Sequence, residues 1–385
     1  MKKLLFMLIL VVILLISVGF GYSWATSSMD EDIMSFINSA DNNSSTKNDS
    51  NSSNSTTNNS NNSNDTNNVN NASNNSNNSN NSNETVLGKR YVIKMSGKET
   101  DSFDDKDEAV EKAKDLQRSV VVDLQTNEWI YSNLEKFMII TDTAIHDFEV
   151  LDNAIRYAKK NNHNKIYYKD DSYVIWEDKK QLPESIKLDV PILLQYPELA
   201  RGCEVTSLAM ILSFNGKKVS KMELAQQIKK DPTPYSRDGN GRIYYGNPYD
   251  GFVGDIYNLK KNGYGVYHGP VAELAKNYFG DKVFDITGLE FEDVLYFLSK
   301  GNPIWVVANS TYAPLKEEAF QMWHTPTGIV KVTSKEHAVV MTGYDDQYIY
   351  INDPLYSHKN RSVDRNNFKK AWEQMGNQAI VIIHK

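Results

Sequence analysis

One cysteine and seven histidines bound the nucleophilic chemistry open to this chain. The cysteine lies in Arg201-Gly202-Cys203-Glu204-Val205-Thr206-Ser207-Leu208. Val205, Leu208, Ile211 and Leu212 recur at helical spacing, Gly216 is placed to end the helix, and Gly202 marks the turn into it. Cys203 therefore falls at a helix N-terminus and off the apolar stripe. Unpaired backbone N–H groups and the helix dipole favour a thiolate there. Only the thiolate attacks a carbonyl, so the position suits a nucleophile. The plainer alternative is a small residue buried for packing.

A base has to come from elsewhere in the chain, and His337 has the best setting. It opens an apolar strand running to Gly343, Asp345-Asp346 make a turn, and a return strand ending at Asn352 delivers Asp353 just before Pro354. With a three-residue hairpin loop Val339 faces Asp353, and His337 lies one diagonal step away on the same face. Such neighbours are about 7–8 Å apart, within reach of an imidazole and a carboxylate. Asp353 would then fix the tautomer of His337 and stabilise its imidazolium, with Asn352 as the alternative orienter. A two-residue loop would put the two on opposite faces. Upstream, Gln195 in Leu193-Leu194-Gln195-Tyr196-Pro197 offers an amide N–H₂. Beside the backbone N–H of Cys203 it would bind the oxyanion of a tetrahedral intermediate.

In type and order these segments resemble the C39-like cysteine peptidase family. The resemblance rests on Leu188-Asp189-Val190-Pro191, Gln195, and Arg201 through Met210. It continues in Glu336-His337-Ala338-Val339, Gly343-Tyr344-Asp345 and Asn352-Asp353-Pro354. It covers about Leu188 to His384 and implies a papain-like fold. It also implies Cys203 as nucleophile, His337 as base, Asp353 as orienter and Gln195 in the oxyanion hole. The expected activity is a thiol-dependent peptidase or amide hydrolase acting on a peptide or cell-wall peptide. The competing function is a cell-surface binding protein that keeps the fold without catalysis.

The elements that must position these residues read as α+β. Helices are expected over 203–214, 221–229, 270–279, 291–299 and 366–375, the second opened by the capping pair Ser220 and Glu223. Strands are expected over 304–308, 328–332, 337–343, 348–352 and 379–383, forming an antiparallel sheet in a domain spanning 187–385. Before it, residues 89–181 repeat themselves. Phe103, Ala109, Val110 and Ala113 recur at a constant offset as Phe148, Ala154, Ile155 and Ala158. Each copy reads as a β-α-β-β unit, and units this small are expected to pack together as one small domain.

Residues 26–88 read as a disordered tether, since 41–85 are almost wholly Asn and Ser with almost nothing apolar to bury. Residues 1–25 read as a signal peptide or membrane anchor. Lys2 and Lys3 precede an uncharged apolar run over 4–24, about 20 residues and enough to span a bilayer, while Ser23-Trp24-Ala25 suits cleavage after Ala25. Either reading places the body of the protein outside the cytoplasm, secreted or membrane-anchored. A lone cysteine excludes a disulfide framework and a thiolate zinc site. The acidic stretch 101–107 lacks the glycine of a calcium loop, so no metal or cofactor is expected. A net charge of −7 without clustered Lys and Arg argues against nucleic acid as partner.

Overall fold

The computed structural model describes residues 89–178 and 181–383, and the N-terminal apolar run and Asn/Ser-rich segment lie outside the described residues. Among the described residues no helix is long and apolar enough to cross a membrane.

Two units of the same topology come first. One contains β1 (Tyr91–Met95), β2 (Lys98–Phe103), α1 (Lys106–Lys114), β3 (Ser119–Asp123) and β4 (Glu128–Ser132). The other contains β5 (Phe137–Ile140), β6 (Ile145–Phe148), α2 (Leu151–Lys160), β7 (Lys165–Tyr168) and β8 (Val174–Glu177). Their sheets run β2-β1-β3-β4 and β6-β5-β7-β8. Each unit is thus β-β-α-β-β, one strand more than the β-α-β-β expected from the sequence. In the first unit the extra strand hid because β2 is a polar, largely exposed edge, Lys-Glu-Thr-Asp-Ser-Phe, with no apolar alternation to reveal it. Its hairpin is set by Ser96 and Gly97, both at positive φ, the conformation of a two-residue turn.

The two units do not share a core. In the first, Tyr91, Ile93, Ala109, Ala113 and Val121 form a cluster of their own. In the second, Phe137, Ile155, Ile166 and Trp176 run into the core of the following domain. Tyr168 meets Phe284 edge-on with ring centroids 5.0 Å apart. Lys159 of α2 reaches both Glu290 and Asp293 at 2.8 Å, and Trp176 Nε1 donates to Asp293 Oδ1 at 3.3 Å. Between the units themselves, Arg118 pairs with Asp147 and donates to the carbonyl of Ile145. The apolar face of α2 and its sheet is wider than α1 can match, and the next domain covers it.

The rest of the chain is built on a largely antiparallel sheet, the α+β plan expected. After β9 (Ile186–Lys187) come α3 (Cys203–Phe214) and α4 (Lys221–Gln227), then the short strands β10 (Lys230–Asp231), β11 (Ser236–Arg237), β12 (Ile243–Tyr244) and β13 (Phe252–Val253). These lead to α5 (His268–Phe279), β14 (Val283–Asp285), α6 (Phe291–Ser299), β15 (Ile304–Asn309), β16 (Phe320–Thr325), β17 (Gly328–Thr333) and β18 (Glu336–Tyr344). The chain closes with β19 (Tyr348–Asn352), β20 (Arg361–Asp364), α7 (Arg365–Gln374) and β21 (Ala379–Ile382). The main sheet runs β14-β21-β15-β18-β19-β20, with β9 also on β18. Alternate residues of β18 serve two cores. Ala338 and Val340 pack with the α3 and α5 side, whereas Val339 and Met341 pack with α6, α7 and the second repeat unit.

Helix α3 departs from the stripe expected of it, for Cys203 through Leu212 are all buried. It is wedged between the sheet and the helices α4 and α5, so no face is left for solvent. Ser207 Oγ donates to the carbonyl of Ala338 at 3.0 Å, and Trp305 Nε1 donates to that of Glu204 at 3.0 Å. Two cross-element bonds thus fix the helix on β18 and β15.

Candidate active site

Gly202 caps α3 and Cys203 is its first residue, as the sequence places it. The sulfur is nearly enclosed, with Cys203 only 8 % exposed. It donates to Glu204 Oε2 at 3.3 Å and lies beside the backbone N–H of Ala338, the residue after His337. The expected thiolate preference at the helix terminus does not prevail. Burial first, and then the neighbouring Glu204 and Glu336 carboxyls, push the thiol well above its ordinary value.

His337 opens β18 almost as read, one residue inside the strand, and is 4 % exposed. Its Nε2 lies 2.8 Å from Asp353 Oδ1, which leaves Nδ1 as the nitrogen free for a second partner. Asp353 is completely buried, and each of its oxygens is engaged twice. Oδ1 also accepts from the N–H of Leu355, and Oδ2 accepts from Tyr312 Oη at 2.6 Å and Arg361 Nη1 at 2.8 Å. Burial alone would raise this carboxyl. The charge and hydrogen bond of His337, with the Tyr312 and Leu355 donors, outweigh burial and hold it well below the usual carboxylate range.

The hairpin reaches this geometry by a route different from the one expected. Near its tip Tyr344 pairs with Ile349 and Gly343 with Tyr350, a register set by a longer loop. A bulge between Met341 and Gly343 then adds Thr342 to one strand, and beyond it Val340 pairs with Asn352. That register, carried one step past the strand end, sets Val339 opposite Asp353, so a four-residue loop with a bulge does the work assigned to three residues. The carbonyl of the extra residue is not wasted, for it accepts from Leu188 N at 2.7 Å. Asn352, the alternative orienter, is otherwise employed. Its Nδ2 donates to the carbonyl of Val190 at 2.9 Å and its Oδ1 accepts from Asn360 N.

Gln195 is buried, and its backbone N–H donates to the carbonyl of Pro354 beside Asp353. Its Nε2 reaches the Ala200 carbonyl at 3.3 Å, on the turn before Cys203, while its Oε1 is buried without a partner. One hydrogen of that amide remains for another acceptor. His324 lies apart on β16, its ring stacked on Tyr244.

Four residues of this region escaped sequence reasoning. Tyr312 and Arg361 secure Asp353, but nothing in their spacing marks them. Glu204 and Glu336 stood inside the motifs without a role. Glu204 is completely buried, and burial raises its carboxyl to about 7. Burial and the charge of Glu204 push Glu336 well above the usual range too. The Cys203 sulfur and one oxygen of each acid fall within 4.8 Å of one another. One Glu204 oxygen accepts from Val266 N–H and the other from the thiol.

A family profile described as Peptidase_C39 like family matches residues 187–380. The chain belongs to that family. A Bacillus subtilis (strain 168) relative, YvpB, itself described as uncharacterized, is 46 % identical over 225 residues, which cover 58 % of this chain and 86 % of the relative. A Bacillus anthracis protein whose crystal structure is described as that of a putative C39-like peptidase is 45 % identical to this chain. That match covers 53 % of this chain and 99 % of the other, with a TM-score of 0.49. The C39-like region thus begins at β9 and contains Gln195, Cys203, His337 and Asp353, whereas both repeat units precede it.

Proposed function

We propose that the chain is an extracytoplasmic thiol peptidase or amide hydrolase in which Cys203, His337 and Asp353 act as a triad. The observation that carries the reading is the doubly anchored Asp353 on His337 Nε2, with Nδ1 left over and α3 tied through Ser207 to the adjoining Ala338. In the reaction, Nδ1 of His337 takes the Cys203 proton and the sulfur attacks the carbonyl carbon of the scissile amide. The negative charge that builds on the carbonyl oxygen meets the Cys203 N–H and the remaining N–H of Gln195. His337 then returns the proton to the departing amine, leaving a thioester. Water, deprotonated by His337, attacks that thioester, releases the acid and restores the thiol. Asp353 holds the imidazole and stabilises its charge throughout. Peptides or cell-wall peptides are the substrate class, reached from a membrane anchor or after secretion across the N-terminal apolar run.

The test is direct. The purified protein is incubated with mixed peptides and with cross-linked wall peptides, and new amino groups are counted. Release of amines by the wild type, abolished in Cys203→Ala and in His337→Ala, is the expected result. Equal release by Cys203→Ala would overturn the reading, and no release from any substrate would favour a binding protein that retains the fold.

A further inference from the structure

Beside the sulfur two acids lie close together, an oxygen of each and the sulfur within 4.8 Å of one another. Glu204 follows Cys203 on α3, and Glu336 precedes His337 on β18. Both press on the backbone of Gly265, where a Cβ would collide with Glu204 Oε1 and come within 3.2 Å of Glu336 Oε2. Glu336 Oε1 is buried with no hydrogen-bond partner. Among the described residues neither acid forms an ion pair. Arg201, the nearest arginine in sequence, spends its guanidinium on the carbonyls of Asp255, Asn258 and Leu259. Around the acids stand the Cys203 thiol on α3 and the His337 ring on β18, with Tyr264 and Tyr267 on the segment entering α5. The two tyrosines hydrogen-bond each other at 2.7 Å. Beyond His337 lie Asp353, Tyr312 and Arg361, already satisfied among themselves.

Glu204 is fully buried and Glu336 half-buried, and two carboxyls this close without a cation strongly disfavour ionising together. We propose that Glu204 and Glu336 are positioning residues that share protons beside Cys203, and that only the fully protonated pair lets Cys203 ionise against His337. The inference rests on the triad reading and adds to it a working range on the acid side of neutrality. With two protons the pair is neutral, and the sulfur can give its proton to His337 at no electrostatic cost from its neighbours. When the pair loses one proton, the carboxylate of Glu204 accepts the S–H at the 3.3 Å contact and the thiol stays a thiol. The proton that leaves goes to solvent, and no bond other than to hydrogen changes.

Because Cys203 is the sole cysteine, iodoacetamide reads it alone in the full-length protein. Glutamine imitates a protonated glutamate, so Glu204→Gln removes the carboxylate that holds the S–H and should make the thiol more reactive above neutrality, with Glu336 left as the remaining acid beside it. The expected result is an alkylation rate about tenfold above wild type at pH 8, with little change at pH 6. Glu336→Gln should shift the same ratio in the same direction. A pH 8 to pH 6 ratio equal to wild type in both variants would overturn the proposal. Should the variants not fold, infrared spectra of the wild type decide. The carbonyl stretch of an undissociated buried acid should be present at pH 6 and weaken toward pH 8, and its absence at pH 6 would refute the pair. A His337→Ala protein that alkylates as the wild type does would sink the triad instead, whatever the glutamine variants show.

Discussion

Asp353 and Arg361 stand 2.8 Å apart with the aspartate fully buried, and the arginine faces the oxygen that His337 does not use. A buried carboxylate serving an imidazole through one oxygen needs its other oxygen satisfied, or its charge would be too costly to keep. Tyr312 and Arg361 meet that need. They let Asp353 remain an anion in a site from which water is excluded.

Replacing Asp353 with Asn should therefore lower kcat/KM by about 10²-fold or more, because the amide no longer imposes the tautomer that frees Nδ1. Tyr312→Phe deletes one hydrogen bond to a charged group and should cost about 1.5–3 kcal/mol of stability while keeping most turnover. Peptide cleavage and denaturant unfolding of the two variants separate these outcomes. Equal loss of turnover in both would show that Asp353 acts through the fold and not through His337.

The two kinds of buried acid predict opposite responses of stability to pH. Asp353 has a folded value below its unfolded one, so its contribution is full above about pH 4 and is lost only as pH falls through the depressed value. Glu204 has a folded value raised to about 7, so between about pH 4.5 and 7 the native state binds a proton that the unfolded chain has released. Stability from this group falls as pH rises through that window. Thermal unfolding should accordingly show a higher Tm at pH 5.5 than at pH 7.5, with the difference reduced in Glu204→Gln. A wild-type Tm that rises steadily across the same interval would contradict it.

What could be read from the sequence was what leaves a periodic or chemical trace. The bounds of α3, α6 and β19 follow from helical spacing and strand alternation, and the motif around Cys203 singles out one thiol. The strand β2 left no trace because an exposed edge tolerates any polar sequence. The Thr342 bulge was equally silent, since one extra residue in one strand does not alter composition. Arg361 could not be assigned because its partner is fixed by the pairing of β19 with β20, where Ile351 faces Arg361. The union of the second repeat unit with the C39-like domain was hidden for the same reason. An amphipathic face announces that it will be covered, but not by what.

That union has its own test. Lys159 of the second unit neutralises Asp293, whose side chain is largely buried and whose carboxyl burial pushes up despite the lysine. Lys159→Ala should cost about 1–2 kcal/mol, less than for a fully buried pair because the lysine is partly solvated. Trp176→Ala empties a fully buried site in the shared core and should cost about 3–5 kcal/mol. Both losses should appear in a single unfolding transition that also carries the C39-like region. Two separate transitions, with only the first sensitive to Trp176, would mean that the second unit folds independently.

The last prediction concerns Gly343, on the strand that carries His337. A Cβ at this position would collide with the carbonyl oxygen of Ile186 and come within 2.9 Å of Lys187 Cα. Both atoms are backbone, so no side chain can swing aside. Gly343 pairs with Lys187 where β9 joins β18, next to the Thr342 bulge that brings Asp353 opposite Val339. From β9 the chain continues past Val190, whose carbonyl Asn352 holds, to Gln195. Gly343→Ala should thus cost about 1–3 kcal/mol by overpacking. It should also reduce turnover more than that loss explains, because displacement of β9 moves Gln195 relative to Cys203. Measured at a temperature where both proteins are fully folded, a variant with wild-type kcat would show that the β9 contact supports the fold alone.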